Sequence, residues 1–290
     1  MFNYRKKIYY SIIYSLLAIM VIGFTFIFPI VKVFEYAFKD LRGVEAKFVG
    51  INNFVTLFKD QVFIDSLIHN FIILLSVPIT IILALFFAII LFEKLAGWKF
   101  YRFVIFLPYV LSITVIGVIF SYLFQKEGAI NEFFRLLHLN FLIKDWIGSS
   151  NLSLWTIIFV MIWKDTGLGF IIIFARLLSI EKQLYEAADL DGVNWFQKHF
   201  YITLPQTKNI IGFLLIFYII NRFSWIFVYI YVMTMGGPST STYIAEYYIY
   251  NKGFIFNNYS LASSAAVVLL LTVLIFVILN ARLQKFSEVE

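Results

Sequence analysis

Long apolar runs alternate with short polar segments along almost the whole chain of 290 residues. Each run has roughly the 20 residues that an α-helix needs to cross a bilayer. The pattern predicts an all-α integral membrane protein, with residues 1–290 forming a single transmembrane domain. The six predicted spans are residues 10–38, 67–92, 103–124, 153–178, 209–234 and 261–281.

The composition also indicates a membrane protein. Hydrophobic residues make up 62% of the chain and charged residues 14%, with 35 Phe and 18 Tyr. A water-soluble domain of this length could not bury so much apolar surface, so the bilayer must be the solvent. The net charge of +6 could indicate nucleic-acid binding. The basic residues are scattered near the span ends, however, and orientation in a membrane explains them better.

The first span begins after Arg5, Lys6 and Lys7. It is longer than the core of a secretory signal and lacks a small-residue cleavage site, so we interpret it as retained. Six spans place both termini on one side, and a modest excess of Lys and Arg predicts that this side is the cytoplasm. Within the span, Pro29 is expected to introduce a bend, and Lys32 can pair with a carboxylate three residues later.

The loop of residues 179–208 is the one long mixed-charge segment in the second half of the chain, and it is predicted to be cytoplasmic. Ser179 can cap a helix, and Glu181 in its first turn would favour the helix dipole. Gly192 suits a left-handed C-cap. The apolar face of this helix has members at three- and four-residue spacing: Ile180, Leu184, Ala187 and Ala188.

A second short helix is predicted after the glycine, because Asn194 and Gln197 have the spacing of a capping box. Pro205 can begin the next helix, since its missing N–H is not needed there. The small side chains at the centre of the first helix would let a partner's groove approach its backbone. The alternative is an amphipathic connector that lies on the bilayer surface.

Three sequence words of this loop resemble the EAA loop of permease subunits in bacterial binding-protein-dependent ABC importers: Glu186-Ala187-Ala188, Asp191-Gly192 and Ile202-Thr203-Leu204-Pro205. YVMTMGGPSTST at residues 231–242 is similar to a signature of their sugar-type, MalF-like branch. FVGINNF at 48–54 and WKDTG at 163–167 extend the resemblance to nearly the whole chain. The chain departs from the family pattern at Ile180-Glu181, where the family usually has a proline before the acid.

The resemblance implies a type I ABC importer permease fold with a cytoplasmic coupling helix. It implies a pore-forming subunit that imports a sugar, oligosaccharide or related polyol and is not itself an enzyme. The implied partners are a second related permease, two cytoplasmic ATPase subunits that bind ATP and Mg²⁺, and an extracellular solute-binding protein. The implied location is the bacterial cytoplasmic membrane, and no cofactor is expected in this chain.

The resemblance also implies roles for individual residues. Contact with the solute-binding protein is expected at the turn formed by Gly236, Gly237 and Pro238. Coupling to the ATPase is expected at six residues of the EAA loop: Glu186, Ala187, Ala188, Asp191, Gly192 and Pro205.

Ionisable residues at membrane depth are rare and tend to face a pore or a partner. Lys164 and Asp165 lie about midway along the fourth span, and Arg222 lies about midway along the fifth. These two spans are antiparallel, and Asp165 and Arg222 both lie about 18 Å from the outer end at about 1.5 Å per residue. We therefore predict that the two side chains pair, either as a structural link or as part of the solute path.

Around Arg222, aromatic and polar residues recur at three- and four-residue steps and share one helix face: Tyr218, Asn221, Arg222, Trp225 and Tyr229. Aromatic rings stack on sugars, and polar groups satisfy sugar hydroxyls in a dry passage. We interpret this stripe as a substrate path completed by Trp163, Lys164 and Asp165. The alternative is that the large rings pack helices together.

Other chemistries find little support in the sequence. No phosphate-binding GxxxxGK[ST] word is present, and the chain has no cysteine. His69, His138 and His199 lack metal-ligand spacing, so no metal site is expected. The alternative function is an ion-coupled secondary carrier that acts alone, which would favour several mid-membrane acids and an inverted repeat. A membrane-bound enzyme or scaffold is a third candidate, but the sequence has no catalytic cluster to support it.

Overall fold

The computed structural model describes residues 14–41, 46–93 and 97–288, with side chains described as far as residue 278. In this part of the chain the structure is predominantly helical. A short antiparallel pair, β1 (Lys39–Asp40) and β2 (Lys47–Phe48), aligns Lys39 with Phe48. The α-helices are α1 Tyr14–Ala37, α2 Asn52–Lys59, α3 Gln61–Leu74, α4 Ser76–Phe92, α5 Trp98–Val110, α6 Ile113–Leu123, α7 Ala129–Leu136, α8 Ser153–Leu178, α9 Lys182–Leu190, α10 Trp195–Lys198, α11 Leu204–Met233, α12 Ala245–Tyr250 and α13 Tyr259–Glu288.

Five helical runs of the described residues are long and apolar enough to cross a membrane: Tyr14–Ala37, Gln61–Phe92, Ser153–Leu178, Trp195–Met233 and Tyr259–Ile278. The third predicted span, residues 103–124, corresponds to α5 and α6. These helices pass the same test together but meet at an angle of 97°. The described part of the chain therefore has six candidate spans when the bent pair is counted as one.

The bend between α5 and α6 occurs where the backbone leaves the helical region at two consecutive residues. Leu111 and Ser112 have ψ angles of 144° and 139°, which are extended values. Pro108 lies inside α5 three residues earlier and lacks the N–H that would bond to the preceding turn, and Leu111 N–H bonds to the Pro108 carbonyl at 3.3 Å where the helix ends. The apolar run is therefore continuous in sequence but broken in structure.

Two helices accommodate a proline through a π-helical turn that ends two residues before it. In α1 the turn Gly23–Ile27 precedes Pro29, and at the start of α11 the turn His199–Thr203 precedes Pro205. In this wider turn a backbone N–H donates a hydrogen bond to the carbonyl five residues earlier, as Leu204 N–H does to the His199 carbonyl. The helix therefore continues past each proline without a break.

The chain divides into two compact units. The first contains the residues up to Phe63 together with Tyr248–Thr272, and the second contains Ile64–Tyr247 and the residues from Val273 onward. The prediction of one domain over residues 1–290 stays a prediction.

Within the second unit, α4 packs along α8, and α5 and α11 also contact α8. Alanines of α4 let the two helix backbones approach, and larger side chains of α8 fill the space beside them. A buried apolar core results, which includes Val77, Ile81, Ala84, Ala88, Leu91, Phe170, Ile173, Phe174 and Leu177.

Within the first unit, polar contacts link the β-strand region to the helices near the C-terminal part of the chain. The Tyr248 hydroxyl donates to Asp60 Oδ2 at 2.7 Å, and Lys252 Nζ lies 3.2 Å from the same oxygen. Leu41 N–H donates to Ser260 Oγ at 2.9 Å. In α1, Lys32 Nζ lies 2.7 Å from Glu35 Oε2, which confirms the predicted pairing at this spacing.

Glu246 in α12 is partly buried within the second unit and has a neutral partner. Asn70 Nδ2 donates to Glu246 Oε2 at 2.9 Å, and Asn70 Oδ1 accepts from Ala245 N–H at 2.8 Å. Removal from water raises the pKa of Glu246 from 4.5 to about 7, against the smaller opposing effect of the Asn70 bond. The fold therefore favours the protonated carboxyl group.

We expect the stability of the protein to fall as pH rises from about 4.5 to about 7, since the folded state holds a proton on Glu246 that the unfolded chain releases. The contribution is fully present below the lower value and is lost through the upper one. Glu246→Gln should flatten this part of the curve and raise the melting temperature at pH 8. Thermal unfolding in detergent across this range is the measurement, with the exposed Glu127→Gln as control. An equal slope in wild type and Glu246→Gln would contradict the assignment.

Candidate functional site

Arg222 lies at the centre of three packed helices of the second unit. It is 3% exposed, and its guanidinium pairs with the Asp165 carboxylate of α8. Its Nε donates to Ser76 Oγ at 2.8 Å, and its Nη2 donates to Thr80 Oγ1 at 3.2 Å, both on α4. The predicted Asp165–Arg222 pair is confirmed. Buried charges persist when they are paired and hydrogen-bonded in this way.

The α4 hydroxyls of this cluster were not identified from the sequence. Ser76 and Thr80 are fully buried polar residues four positions apart in a strongly apolar run. Residues at that spacing share a helix face, and two hydroxyls on one face of an apolar helix indicate a polar partner on another helix. Thr80 Oγ1 also donates to the Ser76 carbonyl at 2.8 Å, which orients its remaining lone pair toward the guanidinium.

Tyr218 contacts both residues of the ion pair. Its hydroxyl donates to the Asp165 backbone carbonyl at 2.7 Å, and its ring centre lies 5.8 Å from the Arg222 guanidinium. A Cβ at Gly169 would lie 2.8 Å from this hydroxyl and 2.9 Å from Ala84 Cβ, so a larger residue would separate the three helices. Tyr218 is therefore a packing residue of the site and is not among the residues that line the cavity described next.

A cavity of about 460 Å³ opens beside the ion pair. Its lining combines polar or charged groups with aromatic and aliphatic ones. Part of the predicted path is present: Lys164, Asp165, Asn221, Arg222, Trp225 and Tyr229. The residues that the sequence did not identify come mostly from α5 and the bend that follows it: Phe106, Tyr109, Val110, Ile113 and Met161.

Trp163 does not belong to this cavity. It is 39% exposed, its ring packs edge-on against Phe120 at 5.1 Å, and it lines a separate apolar groove. The cavity-lining residues of α8 are Met161, Lys164 and Asp165, and at about 100° per residue Trp163 points to the other side of the helix. Trp163 therefore does not line the cavity beside Lys164, and its assignment to the substrate path stays a prediction.

Lys164 is drawn toward α5. Its Nζ donates to the Tyr109 carbonyl at 2.8 Å and lies 4.6 Å from the centre of the Tyr109 ring. Gly167, one turn along α8, allows this approach because a Cβ there would lie 2.7 Å from the Ile105 carbonyl. Lys164 itself is 5% exposed.

The Tyr229 hydroxyl has no hydrogen-bond partner within the part of the chain that the structure describes, although the side chain is 1% exposed. Buried polar groups are nearly always hydrogen-bonded. Tyr229 lines the same cavity as Lys164. The cavity therefore contains a donor that is available to a bound molecule.

The loop after α8 has the helix–glycine–helix form predicted, with differences at its start. Ser179 is the C-cap of α8, and its Oγ donates to the Arg176 carbonyl at 2.7 Å, so the prediction that it caps α9 is wrong. Glu181 occupies the N-cap position of α9 rather than its first turn. Gly192 has φ of 74°, as predicted, and Val193 N–H donates to the Ala188 carbonyl at 3.1 Å.

The buried face of α9 also differs from the one predicted. Ala188 is buried, but Leu184 and Ala187 are exposed, as is Glu186. Tyr185 turns inward instead, and its hydroxyl lies 3.0 Å from Thr203 Oγ1. A nine-residue helix with only one fully buried residue presents most of its surface outward.

The capping box at Asn194 and Gln197 is present, with both reciprocal bonds formed at 2.9 and 3.1 Å. The helix that begins there does not stop before Pro205. It continues through the π-helical turn to Met233, so Pro205 lies inside a helical run of 39 residues. The prediction that Pro205 stands at the start of a helix is confirmed, since it lies in the first turn of α11, although the π-helical turn joins α11 to α10.

His199 is buried in this loop and joins it to the end of α4. Its Nδ1 lies 2.8 Å from Thr203 Oγ1 and its Nε2 lies 3.3 Å from Glu93 Oε1. Trp195 Nε1 donates to the same Glu93 oxygen at 2.6 Å. Among the residues described, no group of three or more His, Asp and Glu side chains could hold a metal ion.

The turn after α11 is tightly held by its own residues. Gly236 has φ of 83°, and a Cβ there would lie 2.6 Å from the Tyr243 ring. Thr234 Oγ1 and Thr242 Oγ1 are 2.7 Å apart across the turn, and Thr242 Oγ1 donates to the Gly237 carbonyl at 3.0 Å. Gly237 and Pro238 are thereby presented in a fixed geometry.

Comparison with known proteins gives consistent matches over nearly the full length. The chain is 32% identical over 274 residues to a probable ABC transporter permease protein of Pyrococcus horikoshii, covering 93% of each chain. It is 30% identical to the probable ABC transporter permease protein YurN of Bacillus subtilis, covering 91% of this chain and 93% of the relative. It is 32% identical to the sn-glycerol-3-phosphate transport system permease protein UgpA of Shigella flexneri, covering 91% and 88%.

Among solved structures, the fold is similar to a chain of a bacterial ABC transporter involved in import of the acidic polysaccharide alginate. The TM-score is 0.83 at 22% identity, covering 98% of this chain and 99% of that one. A second crystal structure, of the alginate transporter in complex with an alginate pentasaccharide-bound periplasmic protein, gives 0.82 at 22% identity, covering 97% and 96%. No protein-family model matches the chain.

We expect Arg222→Gln to destabilise the protein by about 3–5 kcal/mol, because it leaves the Asp165 carboxylate without its counter-charge. Asp165→Asn should act in the same direction. The double variant Asp165→Asn with Arg222→Gln should recover part of the loss, since neither buried charge remains. Thermal unfolding of the four proteins in detergent measures the coupling. Additive losses would show that the pair contributes nothing beyond its separate residues.

Proposed function

The chain belongs to the permease proteins of ABC transporters, and from this premise we propose that it forms half of the membrane pore of an importer for a sugar, oligosaccharide or related polyol. The observation that carries the solute class is the cavity beside Arg222, which combines the aromatic ring of Trp225 with polar groups. The names of the relatives agree, since one belongs to a glycerol phosphate transport system. The structurally similar transporter imports a polysaccharide.

The proposed solute path follows Lys164, Asp165, Asn221, Trp225 and Tyr229 along the cavity wall. Arg222 contributes by fixing the Asp165 carboxylate and holding α4, α8 and α11 together. Tyr218 has a supporting role behind the pair.

The proposed energy source lies outside this chain. ATP and Mg²⁺ would be bound by two cytoplasmic ATPase subunits, and the second half of the pore would be a related permease. The exposed α9, with Glu186 and Ala187 on its open surface, would sit in a groove of an ATPase. Ala188, Asp191 and Gly192 would shape its end.

Movement of α9 would reach the pore through two connections. The helical run containing Pro205 is continuous from Trp195 into α11. The bond between Tyr185 and Thr203 attaches α9 to that run. A displacement of the loop would therefore move α11, and an inward-facing path would exchange with an outward-facing one.

The proposed location is the bacterial cytoplasmic membrane, with both termini and α9 in the cytoplasm. The turn at Gly236, Gly237 and Pro238 would then face outward and contact a solute-binding protein. Its fixed geometry suits recognition by a separate protein, because little conformational freedom is lost on binding.

We expect the orientation to be directly measurable, since the chain contains no cysteine. Leu190 is 90% exposed at the end of α9, and Leu136 is exposed at the end of α7. In the chain expressed without companion ATPases, a membrane-impermeant maleimide should label Leu190→Cys only in inverted vesicles. It should label Leu136→Cys only in right-side-out vesicles. Labelling of Leu190→Cys from outside would reverse the proposed topology.

We expect Glu186→Lys to separate ATP hydrolysis from transport. The substitution reverses the charge on the exposed face of α9, where a basic ATPase residue would meet it. Uptake into proteoliposomes containing the assembled importer should fall about tenfold or more, an effect of about 1.4 kcal/mol, while ATPase activity persists. Glu127→Lys, the same charge change on the predicted outer loop, should leave uptake unchanged. Uptake without any ATPase subunit would instead favour the secondary carrier.

A further inference from the structure

The charged groups that line the cavity do not cancel. Two cations, Lys164 and Arg222, face one carboxylate, Asp165, so the lining carries a net charge of +1. Arg222 takes the Asp165 carboxylate as its own partner. Lys164 contacts neutral groups, the carbonyl and the ring of Tyr109. The unmatched charge of the lining is therefore located at Lys164.

The Lys164 ammonium also has donor capacity left. It has three N–H donors, and the Tyr109 carbonyl accepts one of them. At 5% exposure, it is largely removed from water. The neighbouring Asp165 carboxylate also attracts it but is paired directly with Arg222, so a bound anion would stabilise the buried ammonium further.

A second donor lines the same cavity from another helix. The Tyr229 hydroxyl of α11 is buried and has no partner in the part of the chain described, and it lines the same cavity as Lys164 of α8. Trp225, one turn away, offers a ring against which a sugar could stack. The volume of about 460 Å³ falls in the range of small-molecule sites.

We propose that this cavity selects an anionic solute, a sugar or polyol that carries a carboxylate or a phosphate group. Lys164 binds the anionic group, and the Tyr229 hydroxyl donates to an oxygen of the same solute. This inference rests on the proposed importer function. It adds to that function the charge of the solute and the residue, Lys164, that recognises this charge.

The test uses the importer assembled with its sibling permease, ATPases and binding protein in proteoliposomes. Two matched pairs of probes separate the possible anions: cellobiouronic acid with cellobiose for the carboxylate, and glycerol 3-phosphate with glycerol for the phosphate. Wild type should take up the acidic member of one pair in preference to its neutral counterpart. Lys164→Gln should lower the acidic-to-neutral uptake ratio about tenfold or more. Lys164→Arg should retain the preference.

The matched control is Lys126→Gln, which makes the same charge change at an exposed loop position and should leave the ratio unchanged. Tyr229→Phe removes one oxygen and should raise the KM for the acidic probe several-fold. An unchanged KM would overturn the role of that hydroxyl.

The outcomes distinguish this inference from the function on which it rests. Preferred uptake of a neutral probe that Lys164→Gln leaves unaltered overturns the anion selectivity and leaves the importer standing. Uptake of any probe by this chain without ATP or without the ATPase subunits overturns the importer proposal itself.

Discussion

The arrangement of helices in the second unit depends on one buried guanidinium. At membrane depth a charge has little water to solvate it, so each N–H group of Arg222 requires a protein acceptor. Asp165 supplies one from α8, and Ser76 and Thr80 supply two from α4. Because the acceptors come from two other helices, sliding any one of the three would leave a buried charge unmatched. These helices are therefore coupled by electrostatics as well as by packing.

The same constraint divides the residues of the site into two groups. Tyr218 and Tyr229 lie on one face of α11 about three helical turns apart, and both are almost fully buried. The Tyr218 hydroxyl is used by a backbone carbonyl, whereas the Tyr229 hydroxyl remains unpartnered in the part of the chain described. Lys164 resembles Tyr229 in having donors left over. The hydrogen-bond partners of these side chains thus distinguish residues that stabilise the protein from residues that can bind a ligand.

Much of this architecture could be predicted from the sequence, because the length of an apolar run and the capping of a helix depend on residues that are close together in the chain. The predicted span 153–178 coincides with α8, and the capping box at Asn194 forms as expected. The Asp165–Arg222 pair could also be predicted, because the two residues lie at a similar depth and a charge in an apolar span has few possible partners.

The errors arose where tertiary structure decides between equal local options. Ser179 could cap either the helix before it or the one after it, and the end of α8 prevails. Pro205 lies in the first turn of α11, as predicted, but the sequence did not indicate that a π-helical turn joins this helix to α10 in one run. The break at Leu111 and Ser112 follows Pro108 by three residues within an unbroken apolar run, so hydropathy alone could not locate it.

The continuity of the helix from Trp195 to Met233 makes it a lever with unequal arms. If it pivots where Arg222 is fastened, the arm toward Trp195 is roughly 40 Å long and the other roughly 16 Å, at about 1.5 Å per residue. A tilt of about 10° would then move the Trp195 end by roughly 7 Å and the Met233 end by roughly 3 Å. A large displacement of the Trp195 end would therefore produce a smaller displacement of the Met233 end.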